Sequence, residues 1–85
     1  MKVGFLGCGK IGSAMLSALV EDGTHQVSFV QDPFIEKEGR DYPVTDEADD
    51  TLLAGTDLVI ESATADVLKK NVEAILKHCD LMIFS

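Results

Sequence analysis

The residues whose types and spacing bear on chemistry begin at Gly7-Cys8-Gly9-Lys10-Ile11-Gly12. A short apolar run, Val3-Gly4-Phe5-Leu6, leads into this stretch, and a helix-patterned run from Lys10 to Val20 leads out of it. Glycines in the pattern G-x-G-x-x-G, set between a strand and a helix, form a turn that admits a pyrophosphate. Gly7 permits the sharp turn off the strand, Gly9 offers a backbone with no Cβ to the phosphates, and Gly12 lets the helix pack close to the strand. The N–H groups around Lys10 and Ile11 open the helix and point at the phosphates, where the helix dipole favours negative charge. A second run, Gln26 to Gln31, ends in Asp32, twenty residues beyond Gly12. A carboxylate there accepts the ribose hydroxyls of an adenosine. Glycine turn, flanking elements and acidic residue together indicate dinucleotide binding.

These residues need elements to hold them. Val3 to Leu6 is short and nearly all apolar, the pattern of a parallel strand covered on both faces. Ile11, Ala14, Met15, Ala18 and Leu19 predict one apolar stripe on the first helix, which Gly23 ends. Gln26 to Gln31 is the second strand, closed by Pro33. Tyr42 to Thr45 is expected as a brief third strand. Asp46 is expected to cap a short helix, with Asp49 in the capping-box position and Gly55 at the end. Asp57 to Glu61 is the fourth strand, and Ser62-Ala63-Thr64 the turn after it. Ala65 to His78 is the last helix, with a stripe of Ala65, Leu68, Val72, Ile75, Leu76 and Cys79. Asp80 to Ser85 is a fifth strand. Strands alternating with helices imply an α/β, doubly wound parallel sheet of the Rossmann type, in the order 3-2-1-4-5. The order reverses between the first and fourth strands, so the glycine turn and Ser62-Ala63-Thr64 face one crevice. Thr64 suits either a cap on the last helix or a hydrogen bond to a cofactor ribose.

Composition excludes several classes. The chain has 85 residues, enough for one domain. A net charge of −8 and a pI near 4.4 argue against nucleic acid and anionic membranes as partners. The acidic residues gather between Asp32 and Asp57, as a solvated face rather than a metal site. Cys8 and Cys79 lack metal-ligand spacing and are expected as reduced thiols. His25 and His78 stand alone, and His78 suits the dipole at a helix end. No apolar stretch approaches the length of a membrane span. The apolar run before Lys10 is too short for an export signal, so a cytoplasmic protein is expected.

Two stretches resemble known enzymes. Met1-Lys2-Val3-Gly4-Phe5-Leu6-Gly7-Cys8-Gly9-Lys10-Ile11-Gly12-Ser13-Ala14-Met15 looks like the opening of many dehydrogenases, including pyrroline-5-carboxylate reductases. The second half, Asp57-Leu58-Val59-Ile60-Glu61-Ser62-Ala63 followed by a helix and Cys79-Asp80-Leu81-Met82-Ile83-Phe84-Ser85, is similar to the aspartate dehydrogenase family. Homoserine dehydrogenases share that cofactor domain. The resemblance implies oxidation of L-aspartate to iminoaspartate by hydride transfer to NAD(P). It implies that Gly7, Gly9, Lys10, Ile11 and Gly12 hold the pyrophosphate and that Asp32 reads the adenosine ribose. It places Ser62 and Ala63 near the cofactor and Ser85 towards the nicotinamide side. The family's proton-handling histidine lies in a later part of those enzymes, so neither His25 nor His78 receives a role. Residues 1–85 then represent the NAD(P)-binding domain without its substrate domain, with NAD as cofactor and NADP as the alternative. Leu81 to Phe84, apolar at four consecutive positions, is expected to pair with another copy. The competing readings are a nucleotide-binding regulatory module without chemistry and the start of a pyrroline-5-carboxylate reductase-like enzyme.

Overall fold

In the computed structural model, which describes residues 1–84, the chain runs β1 (Lys2–Leu6), α1 (Lys10–Asp22), β2 (Gln26–Gln31), β3 (Val44–Thr45), α2 (Asp50–Ala54), β4 (Leu58–Glu61), α3 (Ala65–His78) and β5 (Asp80–Ile83). All five strands are parallel, in the order β3-β2-β1-β4-β5. This is the α/β Rossmann-like arrangement expected from alternating elements.

Side-chain alternation along the strands builds two cores. Phe5, Val30 and Ile60 pack with Leu16 of α1 on one face of the sheet. Leu6, Phe29 and Val59 pack with Leu53 of α2 and Ile75 of α3 on the other. Gly4 of β1 leaves the space that the Phe29 ring fills. The central strand is thus buried on both sides, which explains its apolar composition.

The stripe on α1 differs from expectation. Gly12 and Leu16 are buried and Met15 and Leu19 half-buried, whereas Ile11, Ala14 and Ala18 are exposed. Gly12 decides the rotation: it faces Ser62, with no room for a Cβ, so Ile11 turns outward. Gly23 ends α1 in the left-handed conformation, φ 72°, and donates its N–H to the Leu19 carbonyl.

The cap of α2 is Asp49, not Asp46: its carboxylate accepts the Leu52 N–H at 2.8 Å. Asp46 is occupied elsewhere. Its carboxylate meets Lys37 at 2.8 Å and its carbonyl accepts a hydrogen bond from Gln31. β3 is only two residues long, because Pro43 precedes it. The bounds of α3 agree with the expected 65–78, but within its stripe Ala65 and Leu76 are exposed. β5 lies at one margin of the sheet, and the last expected strand residue, Ser85, lies outside the described residues.

Candidate functional site

The strand order reverses between β2 and β4, on either side of β1, and a cleft opens there at the carboxyl ends of the strands. It measures about 460 Å³. Gly7, Cys8 and Gly9 form its floor, residues 31–35 at the end of β2 and beyond it one wall, and Ser62, Ala63, Thr64 and Val67 the other.

At Gly7 the floor has no room for a side chain. Gly7 sits at φ +77°, and a Cβ on it would stand 2.5 Å from the Ala63 Cβ. Gly9 is extended, at φ −69° and ψ −167°, with the Ser62 carbonyl 3.2 Å from where its Cβ would be. Its φ is one that any residue adopts, so its bareness serves the space above it rather than the turn. Ser62 donates from Oγ to the Gly7 carbonyl at 3.4 Å, and its N–H bonds the Leu6 carbonyl. The turn after β4 is thereby fastened to the turn after β1.

The amino terminus of α1 adjoins this floor. Gly9 is the N-cap and gives no side-chain hydrogen bond, and no acidic residue stands in the first turn. The N–H groups of Lys10, Ile11 and Gly12 precede the first intrahelical bond, Ser13 N–H to the Gly9 carbonyl at 2.7 Å. In contrast, α2 and α3 have the side-chain caps Asp49 and Thr64, each with an aspartate in the first turn. The Thr64 hydroxyl accepts the Val67 N–H at 3.4 Å, which fulfils the capping role. An uncapped helix end with a bare approach is what an anionic group requires.

Asp32 ends the β2 wall and is 9% exposed. Its Oδ2 accepts the Cys8 N–H at 3.1 Å and its Oδ1 the Phe34 N–H at 2.9 Å. Each carboxylate oxygen retains acceptor capacity beyond one such bond. The two cations that follow it in sequence have other partners: Lys37 pairs with Asp46, and Arg40 Nε donates to the Glu36 carbonyl at 3.2 Å. Buried Glu61 ends β4, and its Oε2 accepts the Ala63 N–H at 2.9 Å, shaping the opposite turn.

Residues 7–85 match the family described as homoserine dehydrogenase, NAD binding domain. The chain belongs to that family. No curated protein and no solved structure gives a significant match to it. As a homoserine dehydrogenase-type NAD-binding domain, the chain is a dinucleotide-binding oxidoreductase domain whose cofactor is NAD. The cleft fits that cofactor: a glycine floor closed to any Cβ at Gly7 and an uncapped helix end are features a pyrophosphate would use.

Of the residues expected at the site, Gly7, Gly9, Asp32, Ser62, Ala63 and Thr64 line the one cleft. Lys10 and Ile11 stand at the start of α1 with exposed side chains, and Gly12 packs beneath them against Ser62. Ser85 lies outside the described residues. Sequence reasoning missed Phe34 and Ile35 as wall residues and Glu61 as the buried organiser of the β4 turn. An aromatic directly after Asp32-Pro33, and an acid ending an apolar strand, were the available signals.

His25 bonds the terminal amine of Met1 at 3.0 Å, and His78 lies 3.4 Å from Asp50. His25 immediately precedes β2 and His78 ends α3 one residue before β5, at the end of the sheet opposite the cleft. Among the described residues, no group of His, Cys, Asp and Glu side chains is placed to hold a metal, and no helix is long and apolar enough to cross a membrane.

Proposed function

We propose that this domain is the NAD-binding half of an aspartate-dehydrogenase-like oxidoreductase, acting in the cytoplasm. Gly7, Gly9 and the N–H groups of Lys10, Ile11 and Gly12 receive the pyrophosphate, and Asp32 receives the adenosine ribose. Ser62, Ala63 and Thr64 close the far wall. The observation that carries this reading is the uncapped α1 terminus above a glycine floor in the switch-point cleft. Bound NAD supplies a hydride acceptor. The chain's own residues bind and orient it, and none of them is assigned to proton transfer. The substrate, L-aspartate, rests on the likeness of residues 57–63 and 79–85 to that family.

The cofactor preference is NAD over NADP. A ribose hydroxyl donates to the Asp32 carboxylate in a charge-assisted bond, whereas a phosphate at the same place meets a like charge. The engagement of Lys37 with Asp46 and of Arg40 with a backbone carbonyl supports this. Calorimetric titration at low salt, where repulsion is least screened, tests both points. NAD binds more tightly than NADP, and Gly9→Val removes NAD binding from a folded chain. Equal or tighter NADP binding refutes the ribose assignment, and unchanged affinity in Gly9→Val refutes the pyrophosphate assignment. The 85-residue chain itself forms no NADH from L-aspartate; steady turnover would contradict its reading as a cofactor domain.

A further inference from the structure

Residues 32–43 join β2 to β3, two parallel strands, without forming a helix. Such a crossover usually contains one. Here a second cavity of about 450 Å³ lies between α1 and the crossover. Its volume is within the range of small-molecule sites. Leu16, Val20, Ile35 and Tyr42 give it an apolar lining, and Ile35 and Tyr42 pack on the core that holds Leu16 and Val30. It shares Cys8 and Ile35 with the dinucleotide cleft and otherwise has residues of its own, reaching along α1 as far as Glu21.

Arg40 lines this cavity and is the sole arginine in a chain of 15 acidic and 7 basic residues. Its Nε donates to the Glu36 carbonyl at 3.2 Å, which fixes one edge of the guanidinium and leaves the Nη donors. Among the described residues these donors have no acceptor, and neither Glu36, Glu38 nor Asp41 forms an ion pair with them. The hydroxyls of Ser17 and Tyr42 line the same cavity and have no hydrogen bond among the described residues either. An apolar pocket with a few polar groups left without partners has the makeup of a ligand site. We propose that this cavity binds a small monocarboxylate with a branched apolar body, its carboxylate on Arg40 and its body against Leu16, Val20 and Tyr42. A guanidinium matches a carboxylate edge to edge, two N–H groups to two oxygens. Ser17 and Tyr42 supply further donors. Glu21, also on the lining, repels a second negative charge, which disfavours dicarboxylates and dianionic phosphate. The site is separate from the cofactor cleft, so it does not depend on how that cleft is read.

The test titrates the 85-residue chain with isovalerate, with the uncharged isovaleramide and with inorganic phosphate. Tyr42 is the only tyrosine and the chain has no tryptophan, so tyrosine emission reports this cavity alone, and calorimetry gives the affinity. Isovalerate produces a saturable change, and the amide and phosphate bind about tenfold more weakly or less. Arg40 is exposed, so Arg40→Gln keeps the parent's melting temperature, and it loses about tenfold in affinity for isovalerate. A chain saturated with NAD takes up isovalerate as the free chain does. The absence of a saturable response, equal affinity for acid and amide, or parent-like affinity in Arg40→Gln each overturns the proposal. Displacement by NAD overturns it by merging the site with the cleft, and displacement by NADP alone does so by giving Arg40 to the 2′-phosphate of that cofactor. A chain that binds isovalerate but not NAD upholds this site and refutes the cleft assignment; one that binds NAD but not isovalerate does the reverse.

Discussion

Gly7 and Gly9 stand two residues apart and answer to different constraints. Gly7 is held at φ +77° with Ala63 against it, so Gly7→Ala strains the backbone and collides. It should lower the unfolding free energy by more than about 1 kcal/mol in urea titration. Gly9 is extended, and its neighbour need move only slightly to admit a Cβ. Gly9→Val should change stability by less than about 1 kcal/mol. Its NAD affinity should nevertheless fall by well over tenfold, or more than about 1.4 kcal/mol. The motif showed that both positions must be glycine; the separate reasons became visible only from φ and from the partners, Ala63 and the Ser62 carbonyl, that lie over 50 residues away. Phe34 was illegible for a related reason: periodicity cannot weigh a lone aromatic in an irregular stretch. The thiols give a second contrast. Burial pushes the Cys79 thiol above its ordinary value, with Asp57 and Asp80 adding to the effect, and its Sγ donates to the Leu53 carbonyl at 3.3 Å. Thiolate is the reactive form, so an alkylating reagent near neutral pH should modify Cys8 first, as peptide mass mapping would reveal. The sign for stability follows from the same shift. The folded state keeps the Cys79 proton longer than the unfolded chain, so its contribution is full below the unfolded pKa and is lost as pH rises through the folded value. Equal labelling rates would contradict the shift.

The three helices carry their amino ends differently, and that difference is measurable. Asp49→Ala and Thr64→Ala each remove a side-chain cap and should cost about 1 kcal/mol by urea unfolding. No equivalent substitution exists in α1, whose cap is Gly9. Its stabilisation should come from ligand instead, with NAD at a hundred times its dissociation constant raising the unfolding free energy by about 2.7 kcal/mol. A melting temperature indifferent to NAD would speak against the site. At this scale the sequence was clear where signals were singular. Thr64, Asp66, Lys77 and His78 mark both ends of α3, and 65–78 was legible from them. It was ambiguous where signals were repeated. Asp46, Asp49 and Asp50 can all cap, and the choice of Asp49 depends on Lys37 and Gln31 having taken Asp46. On α1 the apolar residues allow two neighbouring stripes, and the contact of Gly12 with Ser62 selects one. No local pattern contains that contact.

At the scale of the whole molecule, β5 pairs with β4 on one side and lies at the margin of the sheet. Met82, Ile83 and Phe84 there are 42%, 53% and 40% exposed. A bare apolar edge is a template for pairing. Self-association through this strand is our expectation, and Ile83→Lys should shift sedimentation towards the monomer. A parent chain that remains monomeric at high concentration would refute it. The strand order itself was legible because alternating elements and right-handed crossovers leave few topologies. A last consequence follows from the fastening of Ser62 and Ala63 onto the glycine turn. A ribosome completes β1 and the whole G-x-G-x-x-G motif long before it adds β4. The nascent turn then has neither the strand that pairs with Val3 to Leu6 nor the hydroxyl that grips Gly7. Such distant pairings are the slow ones in folding. A polypeptide released at Gly55 should therefore retain every glycine of the motif, together with Asp32, and still fail to retain NAD. Cofactor capture then waits for β4 and the turn after it, and is open only to a polypeptide in which Ser62 and Ala63 have closed over the glycine turn.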